Sequence, residues 1–235
     1  MIAIILLTYD RLDVAKVTLE SVAANLTAPE DLWLHIADDG SSQEYRDELL
    51  ELAHEHYGDR VSITNSERTG YGGNYNKATQ IIHQIADIVL PLEDDWKLTR
   101  LLDIAPIVNV LREGVLESVR MGYLGYTDEL RGRFHHHGGF HWLELDPASP
   151  EQHVFAGGPR LETVAFERQV GPWPEGMEQG ATEQRVAARA EARLKVAWPV
   201  DIIRPTGDAF VHIGTYKAGY WPAEGSEAVM QGAEA

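Results

Sequence analysis

The sequence contains no cysteine, so neither disulfides nor thiolate-bound metal sites are available to it, and its redox compartment is left unspecified. Positive charge is scarce: 20 Lys and Arg stand against 37 Asp and Glu, for a net charge of −17. Nucleic-acid backbones and anionic membrane surfaces are met mainly by Lys and Arg, so sustained contact with either is not expected. Long apolar runs are missing as well. The opening stretch Met1 to Leu7 stops at Thr8-Tyr9-Asp10. It is too short to span a bilayer and lacks the basic leader of a signal peptide, and the expectation is a soluble cytoplasmic protein without a transmembrane segment. No internal repeat is present.

What is present suits a globular domain. The 235 residues are 44% hydrophobic, enough to fill a sizeable core. Ile2 to Leu7 and Leu32 to Ala37 have buried-strand length and composition, as do the shorter Arg60 to Asn65 and Asp87 to Leu92. Between them Asp13 to Asn25 carries Val14, Val17, Ser21 and Val22 at helical spacing. Ser41 and Glu44 have the spacing of a capping box ahead of Tyr45, Leu49, Leu52 and His56, and Ala78, Ile81, Ile82 and Ile85 mark a third helix. Strand and helix alternating in this way predict an α/β fold with a mostly parallel sheet flanked by helices.

In such sheets ligands bind beyond the carboxyl ends of the strands. Thr8 to Arg11, Asp38-Asp39, Ser66 to Gly73 and Glu93-Asp94-Asp95 all follow predicted strands, so the four segments are expected to converge on one edge. Three adjacent acids repel one another unless something positive lies among them, and Glu93-Asp94-Asp95 at a strand end therefore asks for a cation or a cationic partner.

After Trp96 the alternation decays. Leu101 to Leu111 reads as a helix interrupted at Pro106, Ser118 to Tyr126 and Phe140 to Leu145 as strands, Leu161 to Gln169 and Thr182 to Leu194 as helices, and Val196 to Arg204 as extended chain. Arg131 to His141 reads as a loop. Its four histidines, His135, His136, His137 and His141, are of a type that binds transition metals, but crowding without ordered spacing favours a solvated or ligand-facing loop. Trp142, Trp173 and Trp221 are candidates to stack on the face of a ligand. Residues 222–235, rich in Gly, Ala and Glu, read as a flexible tail.

Taken together, Thr8-Tyr9-Asp10-Arg11, Ala37-Asp38-Asp39-Gly40-Ser41-Ser42, Gly70 to Asn76 and Leu92-Glu93-Asp94-Asp95, in this order, resemble the GT-A glycosyltransferases, family 2 in particular. The resemblance is good over the first hundred residues and looser beyond. It implies a nucleotide-sugar-binding half over residues 1–98, an acceptor-binding and catalytic half over 99–221, and a nucleotide-sugar donor, here a UDP-sugar, with Mn²⁺ or Mg²⁺ as cofactor.

By that resemblance Thr8, Tyr9, Asp10, Arg11, Asp38 and Asp39 hold the base and ribose, and Gly70, Gly73 and Asn76 lie where the backbone meets phosphate or ribose. The family's metal motif is Asp-x-Asp, from which Glu93-Asp94-Asp95 departs at its first acid. Asp95 is the expected ligand, with Glu93 or Asp94 contacting the sugar or completing the shell through water. His212, in Phe210-Val211-His212-Ile213-Gly214, corresponds to a further ligand from late in the fold, and an imidazole there favours manganese. Inverting relatives place a general base at the start of a late helix in a pattern ending Glu-Asp. Gly180-Ala181-Thr182-Glu183-Gln184 occupies that stretch with Gln in place of Asp, which makes Glu183 the expected base and Glu178 its reserve.

Two other functions stay open. A sugar-phosphate nucleotidyltransferase shares the sheet and the acidic edge but usually carries a glycine-rich basic loop after the first strand, where this chain has Thr8-Tyr9-Asp10-Arg11. A catalytically inactive nucleotide-sugar-binding module is the other, given the departures at Glu93 and Gln184.

Overall fold

A computed structural model describes residues 1–65, 67–122, 131–145, 157–191, 196–199 and 209–214. In chain order its elements are β1 (Ile2–Thr8), α1 (Leu12–Asn25), β2 (Leu26–Thr27), β3 (Leu32–Asp38), α2 (Gln43–Tyr57), β4 (Val61–Asn65), α3 (Gly70–Ile82), β5 (Ile88–Glu93), β6 (Trp96–Leu98), β7 (Leu102–Asp103), α4 (Ala105–Arg112), β8 (Ser118–Arg120), β9 (Gly132–His137), β10 (Phe140–Leu145), β11 (Arg160–Thr163), α5 (Val164–Val170), α6 (Gln179–Glu191), β12 (Val196–Pro199) and β13 (Phe210–His212).

Nine of the strands form one sheet in the order β4-β3-β1-β5-β11-β8-β12-β10-β9. The first four run parallel. β11 enters antiparallel between β5 and β8, and the hairpin of β9 and β10 closes the far side. The expected α/β architecture with a mostly parallel sheet is what forms.

β1 shows why its sequence is apolar without alternation. Ile2, Ile4 and Leu6 point into a core shared with α1, α2 and α4, while Ala3, Ile5 and Leu7 point into a second core against α3, α5 and α6. A strand covered on both faces has no solvent side to be polar on. Each fully buried large aliphatic side chain there contributes about 1.5–3 kcal/mol.

Several local expectations are corrected. The cap of α2 is Ser42, whose side chain accepts from the Tyr45 N–H; Ser41 instead donates its hydroxyl to Asp38. The glycine-rich stretch from Gly70 to Gly73 forms the first turn of α3. Pro106 does not interrupt a helix; it sits in the first turn of α4, where its missing N–H has no partner to lose. The helix expected from Leu161 divides into strand β11 and helix α5, because the Thr163 side chain caps α5 by accepting from the Phe166 N–H.

Arg131 to His141 is not a loop. Residues 132–137 and 140–145 pair as an antiparallel hairpin whose two turn residues, Gly138 and Gly139, both have positive φ, 58° and 81°. The helix expected at Thr182 begins at Gln179. Tyr126, Leu194, Arg204, Trp221 and the expected tail lie outside the described residues. No helix among the described residues is long and apolar enough to cross a membrane.

Candidate active site

The loops after β1, β3 and β5 meet at the carboxyl edge of the sheet, as the strand-end placement predicts. The backbone carries the first link: the Asp39 N–H donates to the Thr8 carbonyl, and the Asp94 N–H to the Leu7 carbonyl. Thr8 Oγ1 donates to Asp94 Oδ2 at 3.1 Å and shares a short hydrogen bond with the Tyr45 hydroxyl. Asp10 turns the chain away from β1 with φ 48°. Asp tolerates this left-handed conformation better than most residues. Its N–H donates to Ser41 Oγ at 3.0 Å, and its side chain is exposed. Tyr9 is covered by Arg68, whose guanidinium lies 3.9 Å from the ring centroid and donates to the Tyr9 hydroxyl at 3.0 Å.

The positive partner that the acidic triplet asks for is a side chain of the protein. Arg11 donates from Nη1 to Asp95 Oδ2 at 2.8 Å and from Nη2 to Asp94 Oδ1. Asp94 and Asp95 are nearly inaccessible to solvent, 1% and 2% exposed. Burial pushes the Asp94 carboxyl up to about 6, against the pull of Arg11 and with the repulsion of Asp95. Burial acts on Asp95 in the same direction but is outweighed by His212 and Arg11, which hold it below its ordinary value.

His212 arrives on β13, which pairs with β6 so that His212 lies opposite Trp96. Its Nε2 is 3.2 Å from Asp95 Oδ2, and the Ile213 N–H donates to the Asp95 carbonyl at 2.8 Å. Gly214 completes this contact. A Cβ there would stand 2.4 Å from Asp95 Oδ2, so any side chain would displace the carboxylate.

The other acid pair is built into the fold. Asp38 is fully buried and accepts from the Gly40 and Ser41 N–H groups, the Ser41 hydroxyl and Arg46. Asp39 accepts from the Thr69 N–H at 2.7 Å and the Gly70 N–H at 2.9 Å. A carboxylate at a helix start is favoured by the dipole and by the unpaired N–H groups there. The Gly70 N–H, expected to be free for a ligand, is therefore taken by Asp39. Gly73 packs on Thr69, where a Cβ would lie 2.8 Å from the Thr69 Cβ. Asn76 is not brought to the acidic edge: it donates to the Trp173 carbonyl and Glu175 and accepts from the Trp173 N–H.

Glu183 does reach the edge. Gln179, one turn earlier on α6, donates from the same Nε2 to Glu183 Oε1 at 3.0 Å and to Glu93 Oε1 at 2.8 Å. The carboxylate of a late helix is thereby tied to the end of β5. Tyr71 joins them: its hydroxyl is pushed well above its ordinary value by burial and then by Glu93 and Glu183. Gly157 leaves the room this needs, since a Cβ there would stand 2.4 Å from Glu183 Oε1 and 2.8 Å from the Tyr71 hydroxyl.

Gln179, Tyr71 and Arg68 are the neighbours that the sequence reading missed. Gln179 had a usable signal, because it stands four residues before Glu183 on one helix face. Tyr71 and Arg68 had none beyond their place in the 66–73 segment.

Among the described residues no three His, Asp or Glu side chains converge on one point as a metal cluster. Asp95 and His212 nevertheless fit a divalent ion: Asp95 Oδ1 is buried without a hydrogen-bond partner, and carboxylate with imidazole is a donor set that suits Mn²⁺.

The sequence matches the family described as glycosyl transferase family 2 over residues 3–158. No curated protein matches it. Among solved structures, residues 1–349 of S. aureus TarS in complex with UDP-GlcNAc superpose with a TM-score of 0.63 at 13% identity, covering 85% of this chain and 56% of that one. The mannosyltransferase PcManGT from Pyrobaculum calidifontis, in complex with GDP-Man and Mn²⁺, gives a TM-score of 0.61 at 16% identity over 93% and 58%. A TarS structure with a longer chain gives a TM-score of 0.62 at 14% identity over 85% and 35%. The chain thus spans about a third to three fifths of the length of these structural neighbours.

Proposed function

The chain belongs to glycosyl transferase family 2 and has the GT-A fold, and from that premise we propose that it transfers a sugar, with inversion, from a nucleotide-sugar donor to an acceptor hydroxyl in the cytoplasm. The observation that carries the reading is the Glu93–Gln179–Glu183 link, which joins the acidic strand end to a carboxylate on a separate helix.

Glu183 takes the proton of the acceptor hydroxyl as its oxygen attacks the anomeric carbon. The new glycosidic bond forms while the bond from that carbon to the diphosphate oxygen breaks, and the nucleoside diphosphate leaves with the electron pair. Gln179, donating to Glu183, fixes the direction of the carboxylate. Asp10, exposed where the chain turns away from β1, accepts the ring N–H of the base; a UDP-sugar is the donor in this reading. TarS with UDP-GlcNAc and PcManGT with GDP-Man lend support to a nucleotide-sugar donor.

Asp95 and His212 would hold Mn²⁺ or Mg²⁺, which when bound offsets negative charge on the diphosphate. Arg11, already between Asp94 and Asp95, keeps the two carboxylates close together at neutral pH.

The test is nucleoside diphosphate release from a panel of UDP- and GDP-sugars with candidate acceptors, with and without Mn²⁺. Turnover with a UDP-sugar, and a fall of roughly 10²–10⁴-fold in Glu183→Gln, is the expected result. Full activity of that variant moves the base elsewhere. Pyrophosphate release from a nucleoside triphosphate and a sugar phosphate would make the chain a nucleotidyltransferase, and tight UDP binding without turnover would make it a binding module.

A further inference from the structure

The acidic triplet at the end of β5 divides between the two faces of the sheet. Side chains alternate along a strand: Leu90 and Leu92 lie in the core shared with α1, while Val89 lies in the core beneath α3 and α6. Glu93 keeps the register of Val89, and its carboxylate accordingly meets Gln179 on α6. Asp94 and Asp95 sit instead with Arg11, and Asp95 with His212. Among the described residues Glu93 does not converge with Asp95 and His212 as a metal cluster.

On its own face Glu93 is one corner of a tight polar group. Gln179 Nε2 donates to Glu93 Oε1 at 2.8 Å and to Glu183 Oε1 at 3.0 Å. The Tyr71 hydroxyl hydrogen-bonds to Glu93 as well and lies 3.4 Å from the Gly157 carbonyl oxygen. Burial, then the charges of Glu93 and Glu183, keep that hydroxyl protonated, so it stays a donor at neutral pH. These groups stand on fixed ground. The Tyr71 ring stacks on Tyr75 with centroids 6.4 Å apart and packs on Trp173 at 5.3 Å. Gly72 lets the first turn of α3 press against the chain leading to α6, since a Cβ there would stand 2.0 Å from the Pro174 carbonyl oxygen.

We propose that Glu93 is a positioning residue for Glu183: steadied by Tyr71, it fixes the amide of Gln179, which in turn fixes the base carboxylate. This role rests on the reading of Glu183 as the base, and it gives a reason for a glutamate at this place. A Glu carboxylate stands one carbon–carbon bond, about 1.5 Å, farther from the backbone than an Asp carboxylate. An aspartate at 93 would fall short of Gln179 by about that much, and the amide would lose the anchor that sets its plane. Misplacing a catalytic group by about 1 Å lowers a rate on the order of 10²-fold. What counts at 93 is therefore reach and an acceptor oxygen, whereas a metal ligand such as Asp95 needs its charge. Removing charge and removing length should consequently have opposite rank at the two kinds of site.

The experiment measures kcat, the donor KM and the Mn²⁺ concentration for half-maximal turnover in the full chain carrying Glu93→Asp, Glu93→Gln or Tyr71→Phe, with Glu183→Gln and Asp95→Ala as references. Glu93→Asp should lower kcat roughly tenfold to a hundredfold with the donor KM and Mn²⁺ requirement unchanged. Glu93→Gln keeps the reach and the acceptor oxygen and should recover most of that loss. Tyr71→Phe keeps the ring packing and deletes one hydrogen bond, so kcat should fall roughly threefold to tenfold. It also carries the test if circular dichroism shows Glu93→Asp to be unfolded. A larger kcat loss in Glu93→Gln than in Glu93→Asp, a raised Mn²⁺ requirement in either, or a Tyr71→Phe chain as active as wild type would overturn the proposal while leaving Glu183 as the base. Full activity of Glu183→Gln, or no turnover by the wild-type chain, would remove the base assignment and this role with it.

Discussion

Two strand ends carry acid pairs that look alike in the sequence, Asp38-Asp39 after β3 and Asp94-Asp95 after β5, yet the fold holds them in different ways. The first pair is held mainly by backbone N–H groups of its own turn and of the start of α3, with the Ser41 hydroxyl and Arg46 added at Asp38. The second is held by side chains, Arg11 and His212, and keeps one buried oxygen, Asp95 Oδ1, without a partner. An acid tied to backbone is committed to the fold, because nothing else can satisfy those amides. An acid held by side chains that can turn away remains available for a ligand.

The sharpest way to break this contrast is to delete one member from each pair. Asp95→Ala should lower turnover by roughly 10²–10³-fold while leaving Tm nearly unchanged, since Arg11 keeps Asp94. Asp38→Ala should do the reverse. It strands several buried donors and the half-buried Arg46, a loss of about 2–4 kcal/mol, or roughly 5–10 °C in Tm for a chain of this size, with per-molecule activity of the folded fraction retained. Equal Tm losses in the two variants, measured by calorimetry, would show that both pairs are structural.

Gly214→Ala sharpens the contrast with a smaller change. The added Cβ meets Asp95 Oδ2, so turnover should fall roughly tenfold to a hundredfold through misplacement of the carboxylate, with little change in Tm. A variant as active as wild type would mean that the position of Asp95 is not critical.

The smallest expected effect concerns a third acid. Glu167 is buried beneath the Tyr75 hydroxyl and beside His83, and burial raises its carboxyl from its ordinary 4.5 to about 8. The folded chain therefore keeps a proton that the unfolded chain releases. This contribution is full below 4.5 and is lost as pH rises through 8. His83, lowered to about 4 by burial and then by Arg168, acts with opposite sign: its contribution is full above 6.5 and lost as pH falls toward 4. Of these two groups only Glu167 still changes between pH 6.5 and 8.5, so its share of Tm should decline by a few degrees over that window. The decline should be absent in Glu167→Gln; a slope that persists there must come from another group.

The parallel half of the fold was legible because its signals are local. The unbroken apolar run of β1 and the helical spacing in α1 each follow from burial on known faces. The convergence of loops on one edge followed in turn from their placement after predicted parallel strands. In the second half the same signals misled. Leu161 to Gln169 has helical composition, but Arg160 and Glu162 are fully buried as an ion pair at 2.9 Å on β11, a tertiary arrangement that no periodicity announces. The His135 to His141 segment was misread for a different reason. Its Gly-Gly pair ahead of the β-prone Phe140 to Leu145 is a hairpin signal, and the run of histidines before it, poor in conventional strand residues, hid the partner strand.

By itself the sequence determined the alternation of strand and helix, the edge where acids gather, and the need for positive charge among Glu93, Asp94 and Asp95. All three follow from hydrophobic pattern and from repulsion between neighbouring charges. Only the tertiary structure decided that Arg11 supplies that charge, that Asp39 caps α3, and that Gln179 joins Glu183 to Glu93. Each of these contacts joins residues whose separation is set by how the elements pack and pair, and spacing along the chain does not encode it.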